Sequence, residues 1–356
     1  MRVLVTGGAG FIGSHVVDLL IDQGHAVVSL DALTAAAHAT TPDYLNPRAE
    51  HRRVALGDLE GLVAALDGVD AVCHQAARVG LGVDFSDVAD YVTDNALGTA
   101  MLLKAMHRRG FQGRLVQASS MVVYGEGAYS CRTHGNVAPA RRNEADLRLG
   151  RFDPPCPQCG RPLEPRLVDE SAPLDPRNVY AATKVHQEHL GWAYRSETGA
   201  DVVALRYHNV YGPRMPRDTP YAGVASIVRS ACESGAAPRV FEDGEQRRDF
   251  VHVSDVAAAN VLALTAKGSV SGAYNIATGQ VCTIAEMADA VVSAFGGRVP
   301  APVVTGEFRA GDVRHVTASP ELARRRLGFA ASVPFRLGLR QFATAPMREP
   351  LQPRQA

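Results

Sequence analysis

The chain predicts an α/β fold: a doubly wound parallel sheet, a smaller C-terminal α/β domain, and an inserted segment that holds a metal. Three observations predict it. Short apolar runs alternate with helix-patterned stretches through the N-terminal half, as in parallel sheets covered on both faces. Beyond that half, helices mix with short strands. Between the two, residues 126–175 carry scattered Arg, Pro and Asp with few apolar side chains and no sustained period, yet contain Cys and His at metal-knuckle spacing.

Each element follows in order. Val3 to Thr6 reads as a strand, a Gly-rich turn follows it, Ile12 to Gln23 has a helical pattern stopped by Gly24, and VVSLD ends a second strand at Asp31. Further strands are expected at RRVALGD (52–58), DAVCHQAA (70–77) and GRLVQASS (113–120), with DNALGTAMLLKAMHRRG (94–110) as a helix. After the insert, YAATKVHQEHLGWAYRSETG (180–199) reads as a helix and DVVALRYHNVYG (201–212) as a strand. The expected division is a dinucleotide-binding unit over 1–203, the insert 126–175 within it, a substrate-binding unit over 204–345, and a disordered tail over 346–356.

With 356 residues, 46% of them hydrophobic, the chain can bury cores for two domains. Lys plus Arg equals Asp plus Glu at 37 each, which argues for a small-molecule partner and against nucleic acid or an anionic membrane. The sequence enters its first strand directly, and no apolar run reaches membrane-spanning length, so a cytoplasmic protein is expected. A reducing compartment makes free thiols or metal ligands the expected state of the six cysteines. Cys73, Cys232 and Cys282 lie in apolar or helical surroundings and read as core residues.

The stretch TGGAGFIG places Gly7, Gly10 and Gly13, with Phe11 and Ile12 among them, between a strand and a helix. Residues without Cβ allow a tight turn, close approach to a pyrophosphate and close helix packing, while the helix N-terminus faces the negative charge. Asp31, at the end of the second strand, suits the ribose hydroxyls and repels a 2′-phosphate, which predicts NAD over NADP. Asp58 and Leu59 are expected to close over the adenine.

Tyr180 and Lys184 stand four apart at the start of a helix and share one face. Ser119 and Ser120 end a strand at the carboxyl edge of the sheet, where ligands of such folds bind. A phenol of ordinary pKa about 10 must lose roughly three units to act as a base near neutrality, a cost of about 4 kcal/mol. One lysine charge about 4 Å away at an effective dielectric of about 20 supplies about that much. Lys184 is therefore expected to lower the Tyr180 pKa.

With TGGAGFIGSH, HQAA (74–77), Asn95, SSMVVYG (119–125), YAATK, RYHNVYGPR (206–214), QRRDFVHVSD and FRAGD, nearly the whole chain outside the insert resembles the extended short-chain dehydrogenase/reductase family of nucleotide-sugar epimerases and dehydratases. The resemblance implies a Rossmann domain whose NAD contacts include Gln75, Ala76, Ala77, Asn95, Tyr180 and Lys184. It implies that Ser120 hydrogen-bonds the sugar hydroxyl, Tyr180 is the base, and Lys184 holds the nicotinamide ribose. Asn209, Arg248 and Arg309, with Asp312 beside them, would bind the diphosphate and neighbouring ribose of a UDP- or dTDP-hexose. A helical pair like the family's dimer helices implies a homodimer.

Two departures inform the reaction. Where related dehydratases carry Asp and Glu after the catalytic hydroxyl, this chain has Met121 and Val122, which cannot trade a proton. Epimerisation at C4 through a 4-keto sugar is what remains; the alternatives are a keto-reductase or dehydrogenase with the same triad, and a NAD-binding scaffold. His208 replaces the Phe of many members and reads as space-filling rather than substrate contact. His252 reads as structural.

The insert gives Cys131-x2-His134-x21-Cys156-x2-Cys159, the pattern of a closed tetrahedral site for structural zinc. A segment this poor in apolar residues covers little of its ordering entropy by burial, and metal binding can offset the rest. Since it leaves the chain after Ser120 and returns before Tyr180, it is expected to overhang the substrate mouth, shaping the sugar pocket or an oligomer contact. A nucleic-acid module using Arg141, Arg142, Arg148 and Arg151 is disfavoured by interleaved acidic residues. Val79 to Val83, Met121 and Met215 to Tyr221 are expected to shape the pocket.

Overall fold

The computed structural model describes residues 1–35, 37–80, 85–217, 223–309 and 311–348. The expectations for 81–83, 218–221 and 349–356 lie outside the described residues.

Burial begins at once, since β1 (Arg2–Thr6) is covered from Val3 onward. It leads through the Gly-rich turn into α1 (Phe11–Asp22) and β2 (Ala26–Asp31). β3 (Glu50–Arg53), α2 (Leu59–Ala65) and β4 (Ala71–His74) follow. α3 (Val88–Tyr91) continues through a π turn (Val92–Leu97) into α4 (Gly98–Arg108), and β5 (Arg114–Ser120) returns to the sheet. The insert contributes β6 (Ala128–Cys131), β7 (Gly135–Val137), α5 (Glu144–Arg148) and β8 (Glu164–Arg166).

After it come α6 (Val179–Thr198), β9 (Val202–Tyr207) and β10 (Asn209–Tyr211). α7 (Val224–Glu233), β11 (Arg239–Val240), β12 (Arg247–Arg248) and β13 (Phe250–His252) lead to α8 (Val253–Thr265) and β14 (Gly272–Ile276). The chain closes with α9 (Ile284–Ala294), α10 (Glu321–Leu327) and α11 (Phe335–Phe342).

The seven-stranded sheet has the order β14-β9-β5-β4-β1-β2-β3 and is parallel throughout. One apolar layer, including Val16, Leu20, Val256 and Val261, packs α1 and α8 against it. The other, including Leu62, Leu102, Met106 and Tyr194, packs α2, α4 and α6 on the opposite face. A third core around Tyr211, Val228, Phe250 and Met287 lies under α7, α9 and α11. The chain crosses back after residue 204, because α8 packs on α1 and β14 extends the main sheet beside β9.

Several sequence expectations need correction. The strand read at 52–58 stops at Arg53, because Asp58 accepts from Gly61 N at 3.0 Å and caps α2. The strand read at 201–212 breaks at His208, after which β10 leaves the main sheet to pair with β13. The insert is ordered: β7-β6-β8 form a small antiparallel sheet over a cluster of Tyr129, Cys131, Cys156 and Leu163. Strands of three and four residues are too short to display a period.

Candidate active site and metal cluster

The turn after β1 is built for close approach. Gly7 has φ 68°, and a Cβ there would meet Ala76 N at 2.7 Å. A Cβ on Gly13 would lie 2.1 Å from Gly7 O, so the helix start is pressed onto the turn. Gly10 begins α1 without a side-chain cap, leaving the first-turn amides of Phe11 and Ile12 to an outside acceptor. At the end of β2, Asp31 accepts from Ala9 N at 3.1 Å and Leu33 N at 2.9 Å, which aims its carboxylate across the turn. Uncapped amides, absent Cβ atoms and a terminal carboxylate together fit the pyrophosphate and ribose of a dinucleotide.

The opposite wall is held by hydrogen bonds. Gln75 donates to Tyr207 Oη at 3.0 Å and Asn260 Oδ1 at 2.9 Å, while Ala76 N lies 3.3 Å from Thr6 Oγ1. Ala77 follows in the same loop. Asn95, turned inward by the π turn, accepts from Arg78 N at 2.7 Å and donates to Arg78 O and Thr183 Oγ1, both at 3.0 Å. Fully engaged by the protein, it ties the loop after β4 to α6. Asp58 serves as the α2 cap, and Leu59 is the first residue of that helix.

α6 starts where Asn178 caps it, accepting from Ala181 N at 2.8 Å, so Tyr180 and Lys184 fall on its first two turns. The Lys184 ammonium donates to Ala118 O at 2.8 Å and lies 5.8 Å from the Tyr180 ring centre. Ser120 ends β5 with its hydroxyl near enough to the Tyr180 phenol to lower that group's pKa. The three side chains expected to converge do so. Their electrostatics differ from expectation, because burial pushes the Tyr180 phenol up to about 12, and the Ser120 hydrogen bond offsets only part of that. Burial also carries Lys184 down to about 7, despite Glu188 nearby. The desolvation that strengthens the lysine's field also takes charge off the lysine.

A buried network behind the triad escaped the sequence reading. Arg206 donates to both Glu188 oxygens at 2.9 and 2.8 Å and to Tyr124 Oη at 2.8 Å. Ser119 donates to Glu188 Oε1 at 2.5 Å, so this serine is structural and Ser120 is left for a ligand. Glu188, four residues beyond Lys184 on one helix face, was the available signal. Met121 and Val122 sit in a short turn directly after Ser120, with no ionisable group.

On the substrate side, Arg248 donates only to carbonyls, reaching Arg247 O, Arg314 O and Val313 O at 2.8 Å each. No carboxylate stands at ion-pair distance from it among the described residues, so its charge is left for an anion. The charge of Asp312 acts on Arg248, and Arg309 stacks 5.3 Å over the Phe241 ring. Asn209 Oδ1 is buried and has no partner among the described residues.

The sequence pattern of the NAD dependent epimerase/dehydratase family matches residues 3–144 and 157–277. The chain belongs to that family. A dTDP-L-rhamnose 4-epimerase of Burkholderia thailandensis is 32% identical over 349 residues, covering 96% of this chain and 94% of the relative. The solved UDP-glucose 4-epimerase of Thermus thermophilus, in complex with NAD, superposes with TM-score 0.75 at 32% identity, covering 96% of this chain and 98% of that one. A UDP-N-acetylglucosamine 4-epimerase of Methanobrevibacter ruminantium gives TM-score 0.78 at 28% identity over 96% of each chain.

Within this epimerase/dehydratase, the insert brings its four expected ligands together. Cys131, His134, Cys156 and Cys159 place one ligand atom each within 4.8 Å of one another. The Sγ atoms of Cys131 and Cys159 are 3.7 Å apart, and His134 Nδ1 is 3.5 Å from both Cys131 and Cys156. Sulfurs bound at about 2.3 Å to one tetrahedral centre stand about 3.8 Å apart, whereas a disulfide closes to about 2.0 Å. The donor set thus fits a four-coordinate metal. Hydrogen bonds from the Thr133 backbone, first, and from His134 hold Cys131 down to about 6.

The insert is seated on the substrate-side segment. Arg142 reaches Glu242 at 2.8 Å and Asp312 O at 2.5 Å. Arg314 reaches Asp153 at 2.7 Å, Glu242 at 2.8 Å and Asp243 at 2.7 Å. Arg148 and Arg151 pair with Glu144 and Asp146, so these arginines form no free basic stripe. His252 caps α8 through Ser254 N, and Cys73, Cys232 and Cys282 are buried free thiols, in line with their structural readings.

Proposed function

We propose that this protein interconverts the C4 epimers of a nucleotide-activated hexose, a UDP- or dTDP-sugar, through a transient 4-keto sugar. The observation that carries the reading is Ser120 against Tyr180 at the carboxyl edge of the sheet, beside Lys184, with Met121 and Val122 following where an elimination needs an acid and a base. NAD, when bound, supplies the hydride acceptor and donor. Tyr180 takes the C4 hydroxyl proton and returns it, Ser120 positions that hydroxyl, and Lys184 holds the ribose next to the phenol. Gly7, Gly10, Phe11, Ile12, Gly13 and Asp31 bind the dinucleotide, and Arg248 and Arg309 take the diphosphate. Incubation with UDP-, dTDP- and GDP-hexoses, following the C4 proton by NMR and NADH by absorbance, tests this. Exchange of epimers without net NADH supports it; net NADH change identifies a reductase or dehydrogenase instead.

The same reading assigns structural zinc to Cys131, His134, Cys156 and Cys159, supported by the sulfur spacing and by the lack of a fifth ligand among the described residues. It assigns a homodimer through the paired helices α4 and α6, supported by Val92 and Leu97 exposed at the start of that pair. Six cysteines outside any disulfide, three of them assigned to the metal, suit a cytoplasmic, reducing compartment.

A further inference from the structure

His208 is 3% exposed, and neither ring nitrogen has a hydrogen-bond partner among the described residues. A space-filling side chain at this point has no use for two buried polar atoms, and buried polar groups are as a rule satisfied. The residue also stands in a telling place. Tyr207 is level with Ser120 across the β5–β9 pair, and His208 comes next, where the chain leaves the sheet. Two residues on from Arg206, it falls by alternation on the face that α6 covers. Its neighbour Asn209 carries a second buried acceptor, Oδ1, also unpartnered.

What satisfies these atoms is constrained by their chemistry. Burial, helped by the Arg248 charge, carries the imidazole down to about 3, so it is neutral: one N–H to donate and one bare nitrogen to accept. Asn209 Oδ1 also accepts. An occupant must therefore bring donors as well as an acceptor. A phosphate has acceptors only and is already matched by the carbonyl-held Arg248. Hydroxyl groups do both.

Resting on the epimerase reading, we propose that His208 is the hydroxyl-reading element of the sugar pocket, selecting the hexose rather than the nucleotide. This reading favours substrate contact over the space-filling role expected from the sequence. Phenylalanine at this position preserves the volume and removes both hydrogen bonds; glutamine keeps a donor and an acceptor.

The test uses H208F and H208Q in the full NAD-loaded protein, with thermal melts to show that both fold. Calorimetry with UDP-glucose against UDP, and with the corresponding dTDP pair, separates sugar from nucleotide. The expected result is a loss of about 10- to 100-fold in affinity for the nucleotide sugar in H208F, partial recovery in H208Q, and unchanged binding of the bare diphosphate. KM should rise by a similar factor while kcat changes less. Wild-type affinity for the sugar in H208F overturns the proposal, and so does an equal loss for sugar and bare diphosphate. Wild-type protein that exchanges no C4 proton in any hexose defeats the epimerase reading instead, and the calorimetric comparison still decides His208.

Discussion

Two buried ionic networks flank the site, and they are held in different ways. Behind the triad, Ser119, Glu188, Arg206 and Tyr124 join α6 to the middle of the main sheet, between elements that already bury extensive apolar surface. Beneath the insert, Arg142, Glu242, Arg314 and Asp153 join a segment whose own core is Tyr129, Cys131, Cys156 and Leu163 to the strand carrying Arg248 and the loop carrying Asp312. On the proposed reading, chemistry at C4 rests on the first and grip on the nucleotide on the second. On that reading the difference makes turnover and substrate affinity separable, because one network lies between large apolar layers while the other ties down a small segment with little core of its own.

The hardest blow to the first region is Y180F. Loss of the base should lower kcat by about 10³-fold or more, with NAD binding intact by calorimetry. Retention of a tenth of wild-type turnover would remove Tyr180 from its role. Next come R206M and R314M. R206M strands the buried Glu188 carboxylate and should cost about 3–5 kcal/mol in urea unfolding, whereas R314M leaves Glu242 its Arg142 partner and should cost less. The kinetics of the surviving folded enzyme sharpen the contrast: R206M should lose kcat, and R314M should raise KM. Identical kinetic signatures for the two would erase the distinction.

These networks also mark how far the sequence could be read. The βαβ pattern, the uncapped glycine turn, Asp31 and the Tyr180–Lys184 pair are local features, and the structure places them as expected. Asn95 was found only through resemblance, because the π turn that aims it inward leaves no periodic trace. Glu188, Arg206, Glu242 and Arg314 meet only through contacts between distant segments. A charged residue whose partner is fixed by topology looks like a surface charge in the sequence. The phenol's direction differs from the spacing-based expectation for a related reason: spacing shows that a lysine is near, while the desolvation that outweighs it depends on everything packed around both groups.

Removing the proposed metal ligands tests the second region without touching the first. C156S combined with C159S should abolish stoichiometric zinc, lower the melting temperature by several degrees, and raise KM about tenfold, with kcat and NAD affinity held within about twofold. A fall in kcat with KM unchanged would show that the insert acts on chemistry after all. Lys184 offers a pH-based counterpart. Its pKa falls from an ordinary 10.5 to about 7 on folding, so between those values the unfolded chain binds the extra proton. Through this group, stability of the cofactor-free protein should rise as pH goes from about 7 to 10.5, so it is lost as pH falls through that window and stays flat below it. K184M should flatten that slope and raise the melting temperature at pH 6 by a few degrees; an unchanged slope would mean that Lys184 is solvated.

The smallest expected effect concerns Asp31, because backbone amides already occupy part of its charge. Ala9 N and Leu33 N both donate to it, so a ribose hydroxyl shares a carboxylate that is engaged with the turn. D31N keeps an acceptor but removes the charge, and should weaken NAD by about 5- to 10-fold rather than abolish binding. The surroundings then matter. Arg348 approaches Ala37 O and His38 Nδ1, and Arg53 lies on the strand beside Asp31. With the carboxylate neutral, the positive charge of those two guanidiniums near the turn is no longer offset, and NADP affinity should rise relative to NAD. The gain should shrink at high salt, as expected for charges exposed to solvent. If D31N weakens both dinucleotides equally at every ionic strength, Asp31 holds the turn and does not read the ribose.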